Sequence, residues 1–184
     1  MSREIVGGKG VFIGSATPAN LQHVAYVEHE YVAAGTATSY QVNGAIARDG
    51  RWRFVPDVTA PYRTRVLVRR PADPKVFSGT VIVEWLNVSG GVDADPDWVS
   101  LHEEIVRRGD AWVGVSAQRI GVMGGPVLVK VQAPGAEAAG AGLRALDPAR
   151  YRSLEHPGDG FSFDIFTQVA RAIRAGAGMG GVTA

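Results

Sequence analysis

Residues Thr80 to Leu86 read Thr-Val-Ile-Val-Glu-Trp-Leu, a nearly unbroken apolar run with β-branched side chains. Such a run has no solvent face to offer. It belongs to a strand covered on both sides, as in a parallel sheet. A second run of the same kind, Ala111 to Ser116, follows closely. Between them Asp95-Pro96 supplies an N-cap and a first helical position. Trp98, Leu101, Ile105 and Val106 form a stripe at helical spacing, Glu104 and Arg108 stand at i,i+4, and Gly109 is the stop. Parallel neighbours need a crossover, and the crossover is right-handed. The pattern therefore predicts a βαβ unit.

The chain before Gly79 has a different grammar. Leu21 to Ala34 alternates loosely, Gly35 to Ser39 reads as a break, and Tyr40 to Ala47 resumes an extended pattern. Asp49-Gly50 is a hairpin signal, and Trp52 and Phe54 alternate with Arg51 and Arg53 on a return strand. In Tyr62 to Arg69, Tyr62, Thr64, Val66 and Val68 share one face and Arg63, Arg65 and Arg69 the other. Pro71 and Pro74 close the segment. The expected fold class is thus α/β: one mixed sheet in a single domain over residues 1–184. Antiparallel strands lie within 21–69 and a βαβα section within 79–176.

After the second apolar run, Gln118 to Gly160 lacks a clean period. It holds a glycine- and alanine-rich stretch, Ala133 to Gly142, and a short helix signal at Asp147-Pro148, anchored by Tyr151. Ser162 to Ala175 reads as the second helix, with Phe166, Val169, Ala170 and Ile173 on one face and Gly176 as the stop. Gly178 to Ala184 forms nothing by itself.

The chain holds 24 glycines in 184 residues, so much of its length goes into turns and close backbone approaches. It has no cysteine, which removes disulfides, thiol nucleophiles and cysteine-ligated zinc. A formal charge of +1 gives no electrostatic basis for nucleic acid, and the scattered arginines read as solvated. No stretch is long and apolar enough to span a membrane, and Met1 to Gly10 is not a signal peptide. The cytoplasm is the default expectation, although a precursor already stripped of its signal would read the same.

Several residues invite chemistry. Gly114-Val115-Ser116-Ala117-Gln118 is close to the nucleophile pattern Gly-x-Ser-x-Gly, but Gln118 replaces the small last residue and a loop follows where a helix is needed. Ser89, after Asn87-Val88, lacks the first glycine. Glu84 within an apolar strand needs a partner, and Arg119 is the natural one by strand adjacency. Of the histidines, His23, His29, His102 and His156, no two have metal-binding spacing. His102 sits beside the apolar stripe of the first helix. His156, in His-Pro-Gly-Asp, either lines a pocket or fixes its loop. Asp93, Asp95 and Asp97 alternate like the start of a calcium loop, without the glycine and distal glutamate that complete one. Gly7-Gly8-Lys9-Gly10 has no Ser or Thr after its lysine, so it is not a phosphate loop. The reading calls for no metal and no cofactor.

Three segments carry a family likeness. The run Val83-Glu84-Trp85-Leu86-Asn87-Val88-Ser89-Gly90-Gly91, with Asp93 and Asp97-Trp98 after it, resembles a bacterial α/β-hydrolase-domain family. So do Trp112 to Arg119 and His156-Pro157-Gly158-Asp159 with Asp164 to Gln168. The resemblance implies an α/β-hydrolase fold with a serine hydrolase mechanism, acting on an ester or related acyl bond. It makes Thr80 to Leu86 the third strand of that fold and Ala111 to Ser116 the fourth. It implies that the loop from Asn87 supplies an oxyanion-hole amide, with Leu86, Asn87 and Val88 as neighbours of that site. The nucleophile elbow, acid and histidine would then lie beyond Ala184, and the chain would be the N-terminal part of the fold, inactive alone. A small ester-like substrate is the expected partner of the completed fold. Self-association through the exposed edge of the third strand is expected of the fragment. A complete, non-catalytic small-molecule-binding or interaction domain is the alternative. A nucleotide-binding domain is disfavoured by the missing phosphate loops.

Overall fold

A computed structural model describes residues 3–15, 19–127 and 136–177. The two sequence grammars meet in one five-stranded mixed sheet. A short β1 (Arg3–Glu4) lies antiparallel to β2 (Tyr26–Val42), which pairs along most of its length with β3 (Phe54–Pro71). After β4 (Val81–Trp85), helix α1 (Pro96–Arg108) crosses over to β5 (Ala111–Val115). β5 inserts between β3 and β4, antiparallel to the first and parallel to the second, giving the order β1-β2-β3-β5-β4. Short helices α2 (Arg119–Met123), α3 (Gly142–Leu146) and α4 (Pro148–Tyr151) follow, and then α5 (Ser162–Arg174).

The alternation of β3 puts two different cores on the two faces of the sheet. On one, Tyr62, Val66 and Val68 join Val113 and Val115 beneath Ile165, Val169 and Ile173 of α5. On the other, Leu67 joins Trp112, Leu86 and Tyr26 beneath Trp98 and Ile105 of α1. The second face also carries Arg65 and Arg69, which the sequence reading assigned to solvent. Both are fully buried. Each bridges a glutamate of β2 and an aspartate of the loop after β4. Arg65 meets Glu30 at 3.1 Å and Asp93 at 2.8 Å, while Arg69 meets Glu28 at 2.7 Å and Asp95 at 2.5 Å. Arg69 also lies between two indoles, 4.7 Å from the Trp98 ring centroid and 4.6 Å from that of Trp112.

Other expectations change in detail. Gly35 to Ser39 is not a break: β2 runs through it, with Gly35 opposite Tyr62 and an irregularity between Thr38 and Tyr40. The long partner strand supplies the hydrogen bonds that local propensity does not. β4 is only half-buried, because it is the last strand of the sheet, whereas β5 is buried throughout. In α1, Trp98 and Ile105 are buried but Leu101 is exposed. Glu104 pairs with Arg107 at 2.6 Å, leaving Arg108 to Asp110. Glu84 does not meet Arg119. Its carboxylate accepts from the backbone N–H of Asp97 (3.0 Å) and Trp98 (3.1 Å) and from the Trp112 indole (2.8 Å). Glu84 thereby caps α1 from the neighbouring strand, and Asp95, although at the N-cap position, makes no side-chain cap bond. Burial pushes the Glu84 carboxyl above the ordinary carboxylate range, and the three donors pull the other way. Ala133 to Gly135 and Gly178 to Ala184 lie outside the described residues.

Two outcomes follow. Truncating Arg65 to leucine leaves Glu30 and Asp93 as buried charges short of a partner, and urea denaturation should show a loss of about 3–5 kcal/mol. Among the described residues the outer edge of β4 has no strand partner. Its free backbone groups are a template for pairing, so sedimentation velocity on the 184-residue chain should show species that grow with concentration. A monodisperse monomer with one sharp melting transition is the contrary result.

Candidate functional site

Ligands of open α/β sheets bind outside the carboxyl ends of the strands, where the connecting loops diverge. At that end of β4 and β5 lies a cleft of about 420 Å³. One wall is Asn87, Val88 and Ser89, from the loop after β4; the other includes Gln118, Arg119 and Asp159. Gly124, Gly125 and Pro126 close one side.

The loop after β4 is shaped by its own bonds. The Asn87 N–H donates to the Ala94 carbonyl (2.9 Å) and the Ala94 N–H donates back (2.8 Å). The Asn87 side-chain oxygen accepts from the Ser89 N–H (2.9 Å), and the Val88 carbonyl accepts from the Gly91 N–H (2.9 Å). Val88 lines the cleft, and its N–H has no partner among the described residues. Leu86 is fully buried beneath, its N–H donated to Val115. The sequence-derived trio thus separates into a buried support, Leu86, and two wall residues, Asn87 and Val88.

Glycine holds the surrounding loops together. The Gly140 N–H donates to the Gly91 carbonyl (2.8 Å), and the Gly125 N–H donates to the Gly140 carbonyl (3.0 Å). A Cβ on Gly142 would stand 2.2 Å from the Gly124 nitrogen, and one on Gly124 would stand 2.6 Å from the Gly140 oxygen. Three loops therefore touch backbone to backbone, which only residues without a Cβ permit.

Ser116 directly follows β5 but does not line the cleft. It is fully buried. Its hydroxyl donates to Asp93 (2.5 Å) and accepts from Arg65 Nε (3.0 Å). No histidine is hydrogen-bonded to it. Arg65 also donates to the Phe12 carbonyl, and Glu30 accepts from Arg150 (2.6 Å) and from the Tyr151 hydroxyl (2.9 Å). Burial works against the Arg65 charge, but Asp93 and Glu30 outweigh it and hold its pKa above the ordinary arginine value. Burial likewise raises the Tyr151 hydroxyl, which stays a donor. Asp93 and Asp95 are thus spent on arginines, and no group of three metal-capable side chains exists among the described residues.

His156 is buried behind the cleft and does not line it. The Gly158 N–H donates to its Nδ1 (3.2 Å), so Nε2 carries the proton and donates to the Ala117 carbonyl (2.8 Å). It fixes the 156–159 loop against the end of β5, which places Asp159 on the cleft wall. Asp159 accepts from the Arg119 N–H at 2.7 Å. Arg119 and Asp159 were not read as cleft residues. The available signal was that Gln118-Arg119 directly follows a buried strand, which is where site loops begin. His102 stacks at 6.0 Å from Trp98 on α1, with Nδ1 3.2 Å from the Val99 carbonyl.

Burial pushes the His156 imidazole below its ordinary value of 6.5, with the Ala117 carbonyl pulling it back. As pH falls through 6.5 the unfolded chain takes up this proton and the folded chain does not. The contribution of His156 is therefore whole above 6.5 and shrinks below it. The melting temperature should fall from about pH 7.5 to about 5.5, and His156→Asn, though less stable at the higher pH, should flatten that slope. Equal slopes would contradict the buried neutral ring.

A family model described as an alpha/beta hydrolase domain matches residues 1–184. No curated protein and no solved structure matches the chain.

Proposed function

The chain belongs to the alpha/beta hydrolase domain family, and on that premise we propose that its cleft takes an ester or related acyl compound for serine-type hydrolysis. The observation that carries this reading is Val88. Val88 follows the carboxyl end of a parallel strand and lines the cleft, and its N–H has no partner among the described residues. An amide held that way can meet the oxyanion of a tetrahedral intermediate without first breaking another bond.

The proposal gives the nucleophile to neither Ser116 nor Ser89. The first is locked between Asp93 and Arg65, and the second has no histidine bonded to it. A serine, a histidine and an acid must act together. No described serine is hydrogen-bonded to a histidine, so residues 1–184 should form the oxyanion loop and cleft wall and show no turnover alone. A strand added to the open edge of β4 would bring a nucleophile to the same end of the sheet.

A second reading, a binding domain without catalysis, is favoured by the same engaged histidines. One measurement tests the serine assignment and a second separates the readings. A fluorophosphonate probe should leave Ser116 and Ser89 unlabelled; labelling of either overturns the assignment. In whatever length of the protein hydrolyses a p-nitrophenyl ester, Val88→Pro should lower kcat about 10²–10³-fold with little change in KM. An unchanged kcat in a folded variant removes Val88 from the oxyanion site, and no hydrolysis by any length favours the binding domain.

A further inference from the structure

Arg119 lines the cleft and is exposed. Among the described residues its side chain makes one hydrogen bond, from Nη1 to the Gly124 carbonyl at 3.2 Å. No carboxylate pairs with its guanidinium among the described residues. The remaining residues, 1–2, 16–18, 128–135 and 178–184, contain no aspartate or glutamate that could do so. Other arginines also lack an acidic partner, but Arg119 is the arginine that lines the cleft. Gly125 borders the same space: a Cβ there would be 4.0 Å from Arg119 Nη1, so nothing bulky shields the guanidinium from that side. Gln118, also on the wall, is held by the Trp85 indole, which donates to its side-chain oxygen at 3.1 Å.

We propose that Arg119 makes this cleft a carboxylate site, so that the acyl compound it accepts carries a free carboxylate. This deepens the reading of the cleft as a substrate site and rests on it. A guanidinium presents paired N–H donors that match a carboxylate in a planar, two-point contact. Held by Gly124, it is oriented before the ligand arrives. Asp159 stands on the same wall and opposes an anion. One of its oxygens is occupied by the Arg119 N–H, and its charge limits affinity without removing the preference.

The test is isothermal titration of the 184-residue chain with benzoate and with its uncharged isostere benzamide. Benzoate should bind at least about tenfold more tightly, and the gap should narrow as salt is raised. Arg119→Gln should erase the gap. Arg119→Lys, which keeps the charge but loses the fork, should retain part of it. Asp159→Asn should strengthen benzoate binding, since Asn can still accept from the Arg119 N–H. Gly125→Val should block both ligands by filling the cleft. Equal affinity for the two ligands, binding of neither, undiminished benzoate binding by Arg119→Gln, or undiminished binding by Gly125→Val overturns the proposal. Circular dichroism of each variant separates lost binding from lost fold. Benzoate held through Arg119 in a protein of which no length hydrolyses a p-nitrophenyl ester would uphold the carboxylate site and remove only the hydrolytic reaction.

Discussion

Two buried arginines hold this structure in register. Arg65 and Arg69 stand four residues apart on β3, so they share a face, and each is clamped from both sides. Glu28 and Glu30, two apart on β2, supply one side; Asp93 and Asp95, two apart in the loop after β4, supply the other. Desolvating charges on this scale is costly unless every partner is in place. A slip of β2 by one residue would turn both glutamates to the opposite face. The network therefore penalises misregistered pairing more than it adds stability. Trp98 and Trp112 close over Arg69 and exclude the water that would weaken its pairs.

The same clamp positions the cleft. Asp93 cannot reach Arg65 unless the loop from Asn87 folds back over the sheet, and the Asn87–Ala94 bridge is the product of that return. Gly121 of α2 lies directly on Asp93, where a Cβ would fall 2.1 Å from its Oδ1. The start of α2, with Arg119, is thus seated on the ion network. Glu84 fixes the far end of the loop by capping α1. The cleft walls are loops, but each is tied to a buried charge or to a glycine contact, which gives irregular backbone the rigidity that a binding site requires.

How far this was legible in the sequence depends on how local the signal was. Pro96 to Arg108 carried its own start, stripe and stop, and the helix has those bounds. The two apolar runs revealed adjacent parallel strands because only burial explains such composition. The arginines misled. Alternation placed Arg65 and Arg69 on one face correctly, but the inference that a charged face is a wet one failed. The groups that make burial tolerable lie 26 to 41 residues away, on β2 and in the loop after β4. Glu84 failed for a related reason: its partners are backbone N–H groups and an indole, which carry no mark in the sequence. Gly35 to Thr38 looked like a break until β3 supplied their pairing. The loops around Gly91, Gly124 and Gly140 appeared only as glycine content, because a backbone contact between distant segments leaves no pattern except the absence of side chains.

Ser116 shows how position and chemistry part company. It directly follows a buried strand of an α/β sheet, the place where a nucleophile is presented in this fold. Yet a nucleophile must face the substrate, with a base at its hydroxyl. Ser116 faces down into the charge clamp, donating a hydrogen bond to Asp93 and accepting one from Arg65. The only histidine nearby, His156, is turned to the Ala117 carbonyl and carries its proton there. What distinguishes structural from reactive polar groups here is whether they are already satisfied. Ser116, Glu84 and His156 have partners for the atoms that chemistry would use. Val88 and Arg119 line the cleft, and among the described residues the Val88 N–H and most of the Arg119 guanidinium donors have no partner, so the proposed reaction and recognition begin with them.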